Sequence, residues 1–432
     1  MSAVTGPSDF EIFEITSNDG NKTVSIANGV IDFQYFEDLY SPTVTAIVEV
    51  ANTGNTIENG GLYHGLPIRG GERVFFRIKT PLENALKSQA RLECVMYVDK
   101  VTDLVNDRQL EAFRLHLVSR EAITNEQVRV TTKFTGKTID KSLTEIIKLL
   151  EPLKLTKFEG CENTYDFMGN LRKPFTLAVM LAARAIPVGA KSKSAGFFFW
   201  QTRKGFHFKS IFTLTKEAIE KKKQLKKYFY SQIMDSGVVN PLVNAYKILS
   251  FSSNKNTDLT DSINKGEYSS YRMFFNPLTF EFIQPDNSIY KGSSAVRLGH
   301  TEKPPKVADP ENIPSTMLAP RIIFGVQDVG TFKSGVSTSI NYDPANVTSQ
   351  AVSQYSQFFT QDYNILISAN TEFVAGDPIN VEFPKTTTDV PDIDTEQSGL
   401  YIIKEITHKF TRTTSYTSMR VVRDTFGVNG QK

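Results

Sequence analysis

Two stretches far apart in this 432-residue chain follow one pattern: "VMYVDKVTDLVNDRQLEAFRLHLVSRE" at Val95–Glu121 and "LYIIKEITHKFTRTTSYTSMRVVRD" at Leu400–Asp424. Each alternates apolar and polar residues on both sides of a short polar turn, as a β-hairpin with one buried face does. One offset of 305 residues aligns Val95, Tyr97, Val98, Val101 and Thr102 with Leu400, Ile402, Ile403, Ile406 and Thr407. The same offset carries "GERVFF" (Gly71–Phe76) onto "GDPINV" (Gly376–Val381), each a glycine and an acidic residue opening a strand. After the turn an offset of 303 sets Phe113, Val118, Arg120 and Glu121 on Tyr416, Val421, Arg423 and Asp424, as though the second loop were two residues shorter. Upstream, "EVANT" at Glu49–Thr53 resembles "ISANT" at Ile367–Thr371. Alternation alone makes any two hairpins look alike. Three elements in one order, two sharing an offset, point instead to two related small antiparallel β-barrels in one chain.

Other segments supply the boundaries. "FQYFEDLYSPTVTAIVEVAN" (Phe33–Asn52) and "ERVFFRIKT" (Glu72–Thr80) read as strands, so residues 1–122 form the first barrel. "TIDKSLTEIIKLLEPL" then puts Ile139, Leu143, Ile146, Ile147 and Leu150 on one helical face, with Pro152 stopping it. "PFTLAVMLAARAI", between Pro174 and Pro187, is a second helix, and "GFFFWQTRKGFHFKSI" is two short strands around Arg203, Lys204 and Gly205. Residues 123–214 are therefore a small α/β domain. Strand patterns return at "AYKILSFSS" and "YRMFFNPLTFEFI", so 215–283 plus 351–432 make a discontinuous second barrel. Residues 284–350, rich in Pro, Ser and Asn, form an extended excursion between its parts. The expected fold class is α+β and β-dominated.

Composition excludes more than it assigns. Hydrophobic residues at 40% and charged residues at 22% describe an ordinary folded chain, and a net charge of +2 provides no field for steering onto nucleic acid or an anionic membrane. Cys94 and Cys161 are too few for a disulfide framework or a cysteine metal site, and both are expected to be buried thiols made in a reducing cytoplasm. The N-terminus has neither a basic leader nor an apolar core, and no window approaches 18 apolar residues, so no signal peptide and no membrane span are expected. With 31 Phe and 16 Tyr against the single Trp200, a carbohydrate groove built on tryptophan faces is disfavoured.

No motif carries catalysis. "FTGKTI" (Phe134–Ile139) holds the Gly-Lys-Thr of a phosphate loop, but Thr131 stands where its first glycine belongs; Lys137 leads into a helix that Thr138 or Asp140 caps. His64, His116, His207, His300 and His408 show no metal-ligand spacing, Ser119 lacks the flanking glycines of a nucleophile elbow, and Glu111 with Glu121 shows no acid–base arrangement. The six lysines of "KEAIEKKKQLKK" (216–227) read as a solvated face, and Phe197, Phe198, Phe199 and Trp200 as a buried strand. Catalytic, cofactor-binding and metal residues are accordingly expected to be none, His408 and Arg423 included.

The order of these pieces, from "GVIDFQYFEDLYSPTVTAIVEV" through "GLPIRGGERVFF", the two helices with "GFFFWQTRKGFHFKS", and "GEYSSYRMFFNPLTFEF" to "GLYIIKEITHKF…MRVVRD", resembles the baseplate hub proteins of contractile-tailed, T-even-like bacteriophages. The resemblance implies tail-tube-like barrels and a homotrimer whose six barrels form a pseudo-sixfold ring. Such a ring joins a trimeric central spike to the sixfold tail tube or tube initiator, contacts baseplate wedge proteins, and lets DNA pass through its channel without specific binding. It implies a structural virion protein of the tail baseplate, synthesised in the host cytoplasm and serving genome ejection, with no cofactor and no enzymatic activity. Edge strands of each barrel are expected to be covered by the next chain. The alternatives are another tail-tube or baseplate component using the same barrel, or a tail-associated cell-wall hydrolase.

Overall fold

The computed structural model describes residues 6–52, 61–82, 90–107, 110–189, 195–230, 245–254, 258–283, 289–290, 297–299, 321–330, 332, 339–342, 344, 347–385 and 393–427. Among these, alternation builds the first unit from β1 (Asp9–Thr16), β2 (Val30–Asp38), β3 (Thr45–Asn52), β4 (Arg73–Lys79), β5 (Leu92–Asn106) and β6 (Glu111–Val118). The strands lie in the order β1-β4-β5-β6-β3-β2, every neighbour antiparallel. Phe13 on β1, Phe33 on β2 and Phe76 on β4 meet with ring centroids 4.8–5.6 Å apart. The sheet is thus rolled until its outer strands share one core, closed by this packing and by the Ile26 amide on Phe13 O at 2.8 Å. No β1–β2 ladder is present among the described residues.

The inserted α/β domain contains α1 (Arg120–Gln127), α2 (Ile139–Lys148), α3 (Pro174–Ala182), the hairpin β7 (Phe197–Thr202) and β8 (Gly205–Ser210), and α4 (Ile211–Lys221). The Ile139, Leu143, Ile146, Ile147 and Leu150 stripe is fully buried, against a core shared with Leu177 and Leu181 of α3. All six residues of β7 are buried because it lies between two cores: Phe197 and Phe199 face the helices, while Phe198 and Trp200 enter the second barrel. Both faces being apolar explains the unbroken aromatic run.

The second barrel uses β9 (Lys227–Tyr230), β10 (Lys247–Ser253), β11 (Gln361–Ser368), β12 (Pro378–Glu382), β13 (Gly399–Thr411) and β14 (Ser415–Arg423). Its order, β13-β12-β9-β10-β11-β14, closes when β14 pairs back on β13. Two ladders depart from the antiparallel expectation: β9 runs parallel to both β10 and β12. It occupies the place β1 holds in the first unit but follows α4 and enters from the opposite end.

The repeat holds at the level of single hydrogen bonds. Arg73 pairs with Tyr97, and Pro378 with Ile402, 305 residues later. Gly71 and Gly376, at φ +88° and +90°, donate to Val98 O and Ile403 O at 2.6 and 2.8 Å. Val98 and Ile403 donate back to Glu72 O and Asp377 O, both at 3.0 Å. Each acidic side chain folds onto its own loop: Glu72 accepts the Arg69 amide at 2.8 Å, Asp377 the Val374 amide at 3.2 Å. The bulges fall between Val98 and Lys100 and between Ile403 and Glu405, again 305 apart. The 303 offset is corrected, however. Val98 pairs with Leu117 and Ile403 with Val421, so β6 maps onto β14 by 304; the turns closed by Asn106↔Glu111 and Phe410↔Ser415 are equally long, and the extra residue of the first copy lies in a second bulge of β5 between Thr102 and Val105. Likewise Val48 maps onto Ile365, placing Glu49 on Leu366 rather than Ile367. A slip of one residue exchanges the inner and outer faces of a strand; the two slips had opposite sense and cancelled across the β11–β14 ladder.

Outside the barrels, Ser270–Asn276, expected in the second barrel, belongs to a separate sheet: it pairs with Glu281–Ile283 and Ile289–Tyr290 antiparallel and with Arg321–Val326 parallel. Residues 301–320, most of the Pro-rich string, lie outside the described residues. A helix the sequence pattern did not announce, α5 (Thr348–Gln357), packs there through Ser349, Gln350, Ala351, Ser353, Gln354 and Gln357, all buried and all but Ala351 polar.

The equivalent glycines differ in one respect: a Cβ on Gly376 would meet Trp200 Cζ2 at 2.7 Å, whereas on Gly71 it would meet only Asn18 Oδ1 at 3.1 Å. Gly71→Ala should cost about 1–2 kcal/mol from the left-handed backbone alone. Gly376→Ala should cost distinctly more, because a buried indole must move; urea unfolding of both variants checks the order.

Candidate assembly site

The strand residues that alternate inward also fuse the barrels. β2 pairs antiparallel with β13 from Asp32↔Thr411 to Asp38↔Glu405, so both barrels belong to one thirteen-stranded sheet. On the inner side Phe33 stacks on Phe410 at 6.0 Å and Tyr35 on His408 at 6.2 Å. His408 is 1% exposed, its Nδ1 lies 3.0 Å from Thr417 Oγ1, and burial, helped by the nearby Arg203 charge, pushes its pKa down to about 3. It is a neutral packed imidazole.

Glu37 ends this inward row and is 2% exposed. Its Oε1 accepts Tyr35 Oη–H and the Arg203 amide, both at 2.9 Å, and its Oε2 accepts the Ala375 amide at 3.0 Å. These donors come from the first barrel, from the β7–β8 turn of the inserted domain, and from the Gly376 loop of the second barrel. Burial raises the Glu37 pKa, opposed by those N–H groups and by the Arg203 guanidinium. Arg203 also donates through Nη2 to Thr371 O, and Trp200 Nε1 to Ala375 O at 3.0 Å. Gln201 continues the joint: its amide donates to Ser41 O at 3.2 Å, its Oε1 accepts the Val44 amide at 3.3 Å, and its Nε2 donates to Glu121 at 3.1 Å. The β7–β8 hairpin thus keys between the barrels.

The other residues weighed from sequence serve the fold. Lys137 Nζ is 2.7 Å from Glu145, and the Gly136 amide is held by Asp166 at 2.7 Å, so no phosphate cradle is free there. Thr138 occupies the N-cap position of α2 without a side-chain bond, and Asp140 accepts the Cys161 amide at 3.2 Å. Glu111 holds the Tyr63 amide and Glu121 the Leu153 amide. His116 and His207 bond Thr102 and Thr202 in their own hairpins, and burial lowers His207 to about 4. The His64 side chain and His300 lie outside the described residues. Arg423 is fully buried, donating to Ser398 O at 2.9 Å and lying over the Tyr401 ring. Lys216, Lys221 and Lys227 pair with Glu220, Glu217 and Glu382, a solvated charged face. Cys161 is buried but Cys94 only half-buried; burial still raises both thiols, Cys94 to about 12. Among the described residues no cluster of His, Cys, Asp or Glu could hold a metal, and no helix is long and apolar enough to cross a membrane.

The expectation that barrel edges face the next chain is corrected in part. β13 and β2 cover one another, and the second barrel closes on itself. Strand edges left unpaired among the described residues include Thr23–Ser25, at the end of the large sheet, and Arg321–Val326, in the separate one.

No protein-family model matches the sequence, and no curated protein matches it. Solved structures do resemble the fold. Over 96% of its length the chain follows the tail protein from Neisseria meningitidis MC58, covering 96% of that chain at 10% identity and a TM-score of 0.53. It follows the 43 kDa tail protein of prophage MuSo2 from Shewanella oneidensis over 96% of its length and 98% of that chain, at 11% identity and a TM-score of 0.50. The chain has the fold of phage tail proteins: β-dominated, two related barrels and an inserted α/β domain.

The seam makes a pH prediction. An unfolded histidine titrates near 6.5 and His408 in the fold near 3, so its stabilisation is present above about pH 6.5 and lost as pH falls toward 3. His408→Gln should flatten the acid limb of stability between about pH 6 and 4 by up to one proton's slope, ~1.4 kcal/mol per pH unit. Denaturant unfolding at several pH values reads it; equal slopes in both proteins would rule out a buried neutral His408.

Proposed function

We propose that this chain is a structural hub of a phage tail baseplate: a homotrimer whose three pairs of barrels form a pseudo-sixfold ring around an ejection channel. The observation that carries this reading is the duplicated six-stranded unit fused through β2 and β13. A trimer of such chains presents six similar barrels, so one ring is threefold by chain and near sixfold by surface. That property suits a part lying between a trimeric central spike and a sixfold tail tube, with wedge proteins around it. A tail tube needs one barrel per chain, whereas a second barrel held in fixed orientation serves the change of symmetry.

The role asks for geometry rather than chemistry. Among the described residues the titratable groups Glu37, Glu111, Glu121, His116, His207 and His408 are held by backbone amides and hydroxyls, an arrangement that serves a virion tail protein acting by shape. DNA would pass the ring without base-specific contact, since sequence is read by groups directed at base edges.

Purified at micromolar concentration, the chain should have the mass of a trimer by multi-angle light scattering, and electron micrographs should show rings of threefold symmetry. A monomer contradicts the hub; a sixfold ring assigns the chain to the tube; turnover of peptidoglycan in a muropeptide assay makes it a hydrolase.

A further inference from the structure

The separate sheet turns one face inward and leaves the other open. Phe274 and Ile323 fill the inner side, while Ile322, Phe324 and Val326 on the exposed edge strand, and Phe282 beside them, remain 58–62% exposed. Phe282 lies 6.1 Å from Phe324 and 5.4 Å from Phe275, so the outer side chains form one continuous apolar surface. At the hairpin tip Phe280 is 80% exposed on a left-handed backbone of φ +58° that bulky residues rarely adopt. Together these groups expose roughly 600 Å² of apolar surface, taking about 200 Å² for an aromatic side chain. That is the upper end for a monomer's largest patch, and about three-quarters of the ~800 Å² each partner gives to a stable interface.

A receptor surface of the same chemistry lies elsewhere on the chain. Tyr40, Val179, Ala183, Phe198 and Tyr355 surround an apolar groove of about 220 Å³ between the end of β2, α3, β7 and α5. Val179 is 54% and Tyr40 47% exposed there. Phe280, being 80% exposed, does not occupy its own chain's groove.

We propose that the apolar face around Phe280 docks into the Tyr40–Val179–Tyr355 groove of a second copy of this chain. Every copy supplies one such face and one such groove, so they are matched in number, which a surface awaiting a different protein need not be. Knob and groove are different surfaces, so the contact is heterologous and runs head to tail, and in a homotrimer it closes as a ring. The proposal rests on the homotrimer reading and names the surfaces that close it.

The test uses the full chain carrying Phe280→Cys and Val179→Cys together, oxidised and run on a non-reducing gel, with the wild type as control for Cys94 and Cys161. Covalent species up to trimer are expected, while an equimolar mixture of the two single variants should give covalent dimers only. Phe280→Glu should weaken assembly by about 30-fold or more in dissociation constant, as for an interface hot spot, with the unfolding midpoint of the dissociated chain, read at low protein concentration, unchanged. A trimer by light scattering that neither cross-links nor responds to Phe280→Glu overturns this docking while leaving the trimer standing. Phe280→Cys cross-linking to itself replaces it with a face-to-face contact. A monomeric wild type overturns both.

Discussion

Glu37 is the group on which the joint between the three parts of this protein depends. A carboxylate taken out of water is costly unless donors replace its hydration. Here the replacements are a tyrosine hydroxyl and two backbone amides drawn from three separate units. None of the donors can be satisfied by Glu37 unless β2, the β7–β8 turn and the Gly376 loop stand where they do. Removing the carboxylate would leave three buried donors unpaired, and unpaired donors cost more than the bond itself returns. The Ala375 amide adjoins Gly376, whose missing side chain admits Trp200. The loop that defines the repeat is therefore also the loop on which the inserted hairpin docks, in the second copy only.

That joint gives the seam its mechanical meaning. Two barrels tied by a linker rotate freely; two barrels sharing a ladder, an aromatic row and a keyed hairpin hold one relative orientation. The register is fixed because Phe33, Tyr35, His408 and Phe410 face inward together, and a one-residue slip would turn all of them outward. A fixed angle between similar units is the requirement for a closed ring of chains, and it needs no chemistry beyond packing and hydrogen bonds.

Much of this was legible in the sequence, because the relevant signals are local periods. The 305 offset was visible since both copies keep their glycine, acid and bulge, and α2 was visible since its stripe is apolar. The buried run at Phe197–Trp200 was visible too, though not that it divides between two cores. What stayed hidden lacks an apolar period. Helix α5 buries mainly glutamines and serines, with Ser353 and Gln357 donating to Glu267 O at 2.7 and 2.9 Å and Ala351 as its one buried apolar residue, so hydropathy marks it only weakly. The parallel setting of β9 comes from where the chain enters the barrel. Strand Ser270–Asn276 alternates like a barrel strand, and only its partners place it elsewhere. Glu37 did leave a trace: it follows Phe33 and Tyr35 in the same inward phase, and an acidic residue at such a position marks a buried partner.

The central claim, that the seam makes two barrels into one rigid body, is tested most directly by native-state hydrogen exchange. The account predicts that seam amides in Val30–Asp38 and Glu405–Thr411 exchange as slowly as Val48 and Leu115 in one barrel and Ile365 and Val421 in the other, all through one cooperative opening. Seam amides exchanging far faster than either core, with the two barrels opening at different denaturant concentrations, would contradict it.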